Sequence, residues 1–270
     1  MKLFKIIFIL LSFLMGFSSI SIGQNKPTSI IKTKSSIISS SQCMVDKTRN
    51  RSIPIQTYVD KKIKDKAISD EIHMPVVIIN HGYGVRNTEY SSIANYLASQ
   101  GYFVISIQHD LNTDSPLSRT GNLYQRRKPL WDRGVLNLLF IEKVLATQYP
   151  FLNFTKVILV GHSNGGDISM LFAKQYPHLV QSVISLDSLR MPFPRDSKFP
   201  ILSIRANDTN ADPGVLPDRR DYRKLKMTIV RFNEAKHIEL CDRGNKSIQN
   251  KINFVISNFL NKRRSQGFYY

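Results

Sequence analysis

Cysteine is almost absent from this 270-residue chain, which has only Cys43 and Cys241. That scarcity excludes a small disulfide-dense scaffold and a zinc site built from four thiolates. One bridge stays open to the pair, tying an N-terminal arm to a loop near the end of the chain; so do two free thiols. Acidic residues are scarce as well, 20 against 38 basic ones, for a formal charge of +18. Such an excess raises nucleic-acid binding as a function class, yet zinc-ligand spacing, a helix-turn-helix pattern and an RNA-stacking signature are all missing. The charge lies in scattered clusters: Lys61-Lys62, Arg126-Arg127-Lys128, Arg219-Arg220 and Lys262-Arg263-Arg264. It reads as a solvated basic surface with weak adsorption to an anionic membrane or envelope, and no nucleic-acid partner. The apolar run Ile6–Phe17 falls short of the roughly 20 residues that a membrane-spanning helix requires. With Lys2 and Lys5 before it and Ser21 and Gly23 after it, the run predicts a secretory signal peptide over residues 1–23, and hence export to the periplasm or the medium.

Beyond that leader, hydrophobic residues make up 42% of the chain, enough for a sizeable core. Residues 24–44, rich in Ser, Lys and Thr, predict a flexible lead-in, and residues 45–270 a single domain. Short apolar runs predict strands at Ile53–Val59, Pro75–Asn80, Tyr102–Gln108, Val157–Val160, Val180–Leu186, Pro200–Arg205 and Met227–Phe232. Helical spacing marks Asn87–Gln100, Trp131–Gln148, Asp167–Tyr176 and Ser247–Leu260. Asp60–Glu71 reads as a polar connector and Leu111–Lys128 as a long loop. Strands alternating with helices predict an α/β domain with a mostly parallel central sheet covered by helices on both faces.

The organising stretch is Lys156–Gly166, KVILVGHSNGG. A buried strand turns through Gly161-His162-Ser163-Asn164-Gly165 into an amphipathic helix, the context of a nucleophile elbow. The pattern alone is weak, arising by chance in about one chain of this length in ten; its placement between strand and helix gives it meaning. The turn holds a serine hydroxyl at the strand tip, with the next amide and the helix N-terminus facing developing negative charge.

A serine hydroxyl needs a histidine to take its proton and a carboxylate to orient that histidine. On such a sheet the chain order is Ser, acid, His. His73, His81, His109 and His162 all precede Ser163, and His178 ends the elbow helix with no acid between; His237 alone follows the candidate acids Asp187, Asp208 and Asp212. Two amides are also needed for the oxyanion. Asn164 follows the nucleophile, and the turn His81-Gly82-Tyr83-Gly84 after an earlier strand places Tyr83 for the second.

Those residues carry a family resemblance. VVIINHGYGVRNTEYSSIANYLASQGYFVISIQHD, GHSNGG, SLDSLRMP and KHIEL resemble the corresponding segments of platelet-activating-factor acetylhydrolases and dienelactone-hydrolase-like esterases, over roughly residues 45–260. The resemblance implies the α/β-hydrolase fold, Ser163 as nucleophile, His237 as base and Asp187 as the triad acid. Bacterial polyester hydrolases share the elbow and place their acid after the later strand, so Asp208 is the alternative acid. The chain departs from the larger acetylhydrolases in a shorter segment before the elbow, and in Asn164 where they carry an apolar or aromatic residue.

The reading is therefore an exported serine hydrolase acting on a small-molecule or lipid ester through an acyl-enzyme, with no metal or organic cofactor implied. A catalytically silent envelope-binding relative and a peptidase or amidase on the same fold are the alternatives. Leu111–Lys128 and Leu189–Lys198, with Met191 and Phe193, are expected to shape the substrate pockets, and Arg119, Arg126, Arg127 and Arg190 to favour an anionic or zwitterionic group.

Overall fold

Alternate residues of the central strands belong to different cores. In β3 (Met74–Asn80), Val76 and Ile78 pack with one apolar cluster while Val77 and Ile79 pack with the other; in β5 (Leu152–His162), Val157 and Leu159 divide from Ile158 and Val160 in the same way. A strand reverses its side chains at every residue, so an unbroken apolar run is what burial on both faces demands. A computed structural model of the chain describes residues 37–196 and 198–264; the expected leader over residues 1–23 lies outside them. The remaining strands are β1 (Ile37–Asp46), β2 (Arg51–Asp60), β4 (Phe103–Ile107), β6 (Val180–Leu186), β7 (Ile201–Arg205) and β8 (Met227–Arg231). They form an eight-stranded sheet in the order β1-β2-β4-β3-β5-β6-β7-β8. The β1–β2 and β2–β4 pairs are antiparallel, and every pair from β4 to β8 is parallel.

Helices cover both faces. Ala67 of α1 (Lys61–Ser69), Trp131, Val135, Leu138 and Ile141 of α3 (Leu123–Gln148), and Ile168 and Phe172 of α4 (Asn164–Gln175) join one cluster. Ile93 and Leu97 of α2 (Ser91–Ser99), with Ile248, Ile252 and Ile256 of α5 (Lys246–Arg264), join the other. Truncating any of the leucine, isoleucine or aromatic residues among these to alanine would cost about 2–5 kcal/mol. Among the described residues, no helix is long and apolar enough to cross a membrane.

Three expectations change, and one open alternative is resolved. Residues 37–44, placed in a flexible lead-in, form most of β1, which pairs with β2 from Ile37↔Asp60 to Asp46↔Arg51. Backbone pairing holds this edge strand although Ser39, Ser40 and Ser41 are not buried, so hydropathy could not reveal it. The connector after β2 is α1, whose first amides, Lys62 N and Ile63 N, donate to the Asp60 carboxylate at 2.9 and 3.2 Å. Helix α3 begins at Leu123 rather than Trp131 and shortens the loop to residues 111–122. Asn122 caps it by accepting from Tyr124 N and Gln125 N, and Pro129, in the second turn, removes the amide that would have bonded to Gln125 O. Finally, Cys43 is exposed on β1 whereas Cys241 is buried, and both are free thiols.

Candidate active site

The parallel strands deliver their carboxyl ends to one edge of the sheet, where ligands of open α/β sheets bind. At the end of β5, Ser163 has φ 52° and ψ −118°, a sparsely populated conformation for a residue with a side chain. The surroundings enforce it. A Cβ on Gly161 would lie 2.3 Å from the Gly165 carbonyl oxygen, and one on Gly165 would lie 2.0 Å from the Asn80 carbonyl oxygen. Backbone crosses backbone at both glycines, so no larger residue fits. Ser163 N donates to Leu186 O at 2.9 Å, and Asp167 N closes the first turn of α4 on Ser163 O at 3.0 Å.

Three predicted residues meet here. His237, in a 3-10 turn after β8, lies with Nε2 2.8 Å from Ser163 Oγ and Nδ1 2.6 Å from Asp187 Oδ2. Asp187 follows β6 with φ 57° and is fully buried. Its other partners are the Thr209 hydroxyl and the Arg205 guanidinium, whose Nη2 is 2.8 Å from Oδ1. Burial alone would raise this carboxyl, but the His237 hydrogen bond, the Arg205 charge and the Thr209 hydroxyl together take it below its ordinary value. It stays anionic, and an anion at Nδ1 fixes the tautomer that leaves Nε2 free to accept from serine.

The alternative acid does not touch the imidazole. Asp208 Oδ1 accepts from the His237 backbone amide at 2.7 Å. Nearby, Asn207 N donates to Ala235 O at 2.9 Å and Asn207 Nδ2 to Asn233 O at 2.6 Å. The loop after β7 therefore knits to the loop after β8, and Asp208 holds the position of the residue whose ring Asp187 orients. Asp212 lies further along that loop, its amide bonded to Leu189 O at 2.8 Å.

The turn at His81–Gly84 lies against the elbow: a Cβ on Gly82 would be 3.0 Å from His162 Nδ1 and 3.4 Å from Ser163 Cβ. Tyr83, next in sequence, turns its half-exposed ring outward, with the Arg127 guanidinium 5.0 Å from its centroid. The Asn164 amide is the first of α4 and so has no partner within the helix. The Asn164 side chain is buried and its Oδ1 accepts from Trp131 Nε1 at 2.8 Å and Arg127 Nη1 at 3.4 Å. Arg127 is thus held between the two residues whose amides were predicted to bind an oxyanion. Burial depresses its pKa, and the nearby Arg190 charge adds to the effect. Met191 and Phe193, expected to line a pocket, are buried in the core beneath instead.

Several polar residues in this region carried little sequence signal. His81, His109 and His162 are fully buried, and burial depresses all three, His162 to about 3. Asp167, in the first turn of α4, accepts from the amides of Arg190 and Met191 at 3.0 and 2.9 Å; burial pushes its carboxyl up to about 6. Asn80 Nδ2 donates to Ser169 Oγ at 2.9 Å, and Ser169 Oγ to Gly165 O at 2.8 Å, tying β3 to the elbow. Arg205, a charge ending the apolar run ILSIR, was the one visible hint of a buried carboxylate partner.

Fold and site together define the class: the chain has the α/β-hydrolase fold, and the sequence profile of the family described as alpha/beta hydrolase fold matches residues 75–204. More particularly, it is similar to a dienelactone hydrolase from Anabaena variabilis, at 16% identity and TM-score 0.57, over 82% of this chain and 96% of that one. A dienelactone hydrolase-like promiscuous phosphotriesterase from metagenomic libraries matches at 13% identity and TM-score 0.59, over 84% and 98%. An esterase from Rhizomucor miehei matches at 13% identity and TM-score 0.60, over 92% and 89%. These likenesses bear out the expected fold and its resemblance to dienelactone-hydrolase-like proteins.

Proposed function

We propose that the chain is an exported serine hydrolase that cleaves carboxylic esters through a covalent acyl-enzyme. The observation that carries this reading is the hydrogen-bonded series from Ser163 Oγ through His237 to Asp187. Ser163 Oγ attacks the ester carbonyl as His237 Nε2 takes its proton, and the amides of Asn164 and Tyr83 receive the charge on the carbonyl oxygen. Collapse of the tetrahedral species breaks the acyl–oxygen bond, the proton passing from Nε2 to the departing alcohol. Water, deprotonated by the same imidazole, then releases the acid and restores Ser163. The esterase and dienelactone hydrolase neighbours support a hydrolase, and the leader expected from the sequence over residues 1–23 is the ground for export.

The arginines narrow the substrate. Among the described residues neither Arg127 nor Arg190 has a carboxylate within ion-pair distance, and Arg127 touches Asn164 beside the nucleophile. This favours esters with a carboxylate or phosphate near the scissile bond, and Arg127→Gln should reduce turnover of those esters more than of neutral ones. Fluorophosphonate labelling of wild type and Ser163→Ala, alongside a chain-length series of p-nitrophenyl esters and short-chain phospholipids, tests the function. Ser163-dependent labelling and ester turnover are expected. Absence of both would favour the silent envelope binder, and preferential turnover of peptide substrates the amidase.

A further inference from the structure

His162 is the x of the elbow's G-x-S, and the mechanism above gives it no part. Its ring is buried, and both nitrogens are engaged. Nε2 lies 2.9 Å from the backbone carbonyl oxygen of His237. A carbonyl oxygen only accepts, so Nε2 carries the hydrogen. Nδ1 lies 2.8 Å from the Tyr90 hydroxyl, which therefore donates to it. The Tyr90 oxygen in turn accepts from the Gly82 amide at 2.9 Å. One unbranched series thus runs from Gly82 N–H through Tyr90 O–H and the His162 ring to the His237 carbonyl. Its ends are the turn before Tyr83 and the residue that takes the serine proton, and its middle adjoins Ser163 in sequence.

We infer that His162 is a positioning residue: through its two ring nitrogens it sets the distance of the His237 loop and of the His81–Gly84 turn from the Ser163 hydroxyl. This inference rests on the proposed esterase reading.

The tautomer is essential to the role, because each nitrogen can serve its partner only if Nδ1 is bare and Nε2 protonated. Neutrality matters as well. The ring centroids of His162 and His237 are 5.0 Å apart, so a charge on His162 would oppose the charge that His237 acquires when it takes the serine proton. Burial and the neighbouring His237 ring hold His162 neutral, outweighing the hydrogen bond to the His237 carbonyl and the Asp187 charge, which favour protonation. Two imidazoles stand side by side: the partly exposed one next to a carboxylate takes up a proton, and the buried one between a hydroxyl and a carbonyl does not.

The test compares steady-state kinetics on one activated ester for wild type, His162→Phe, His162→Gln and Tyr90→Phe, with thermal melts to correct for folded fraction. His162→Phe keeps a flat aromatic ring, somewhat larger than the imidazole, and removes both hydrogen bonds; a displacement of about 1 Å at the reacting atoms can cost on the order of 10²-fold. The expected result is a kcat loss of that order with KM within about threefold, since the bonds act on catalytic geometry rather than on substrate. His162→Gln offers one acceptor and one donor and should recover part of the loss. Tyr90→Phe should lose about tenfold, and a variant combining His162→Phe with Tyr90→Phe less than the product of the singles, because both changes break one series. If His162→Phe does not fold, Tyr90→Phe, lacking a single oxygen, decides. Wild-type kcat in folded Tyr90→Phe, a loss confined to KM, or a strictly multiplicative double variant would overturn the inference. Failure of the esterase reading is separate: wild type itself would then show no Ser163-dependent turnover.

Discussion

The β1–β2 hairpin and the passage from β5 into α4 hold the chain in opposite ways. Along β1 the register with β2 is continuous from Ile37 to Asp46, while Ser39, Ser40 and Ser41 are not buried. Backbone groups carry the pairing there, and only a few side chains add to it, among them Ser41, which donates to Gln56, and Gln42, which donates to Tyr149. At the end of β5 every residue from Val157 to His162 is buried, and the turn brings the Gly165 position against the Asn80 carbonyl. There, backbone contact dictates the side chain, down to its absence. The candidate nucleophile sits where backbone contact restricts the side chains most.

The comparison can be broken most forcefully at the carboxylates beside His237. Asp187→Asn should lower kcat by about 10⁴-fold, the loss expected when the histidine is held in the wrong tautomer, whereas Asp208→Asn should cost about tenfold or less because it touches only the amide. Equal losses in the two ester assays would contradict that division. Gly165→Ala tests the backbone crossing: about 3 kcal/mol of stability should go, seen as a fall of roughly 6–12 °C in Tm, while a native melt would show that the crossing yields.

Asp167 sharpens the comparison through pH. Its folded value near 6 exceeds the ordinary 3.8, so the folded state binds the proton more tightly. Its carboxyl therefore favours folding below the unfolded value and disfavours it as pH rises through about 6. Asp167→Asn keeps an acceptor for Arg190 and Met191 without the charge, and should be the more stable protein at pH 8 by on the order of 2 kcal/mol. That advantage should vanish near pH 4; denaturant melts at the two pH values would reveal it, and an advantage independent of pH would refute the assignment. At the mild end, Ser40→Thr on β1 should shift stability by no more than about 0.5 kcal/mol, and a larger change in the same melts would mean that β1 depends on its side chains.

What the amino-acid order disclosed follows the same division. Strands buried on both faces, the elbow and the candidate positions Ser163 and His237 were legible because hydropathy runs, glycine spacing and chain order mark them. β1 was not, since edge pairing by backbone leaves no hydropathy trace. The early start of α3 was hidden by Pro129, a residue that ordinarily interrupts a helix and here lies within its second turn. Asp187 and Asp208 were separable only through resemblance, because both follow strands and differ in where the side chain turns. His162 looked like a spacer beside the serine; its role depends on Tyr90, 72 residues away in sequence, which no local pattern connects to it.

The contacts of Asn207 and Asp208 with the segment 233–237 bear on engineering. Residues 207–209 and 233–239 are held together by three hydrogen bonds and should be moved as one unit: transferring the histidine turn alone, or lengthening either arm alone, would leave its amide without a docking carboxylate. Libraries that diversify the two arms together should retain active members far more often than libraries that diversify either by itself.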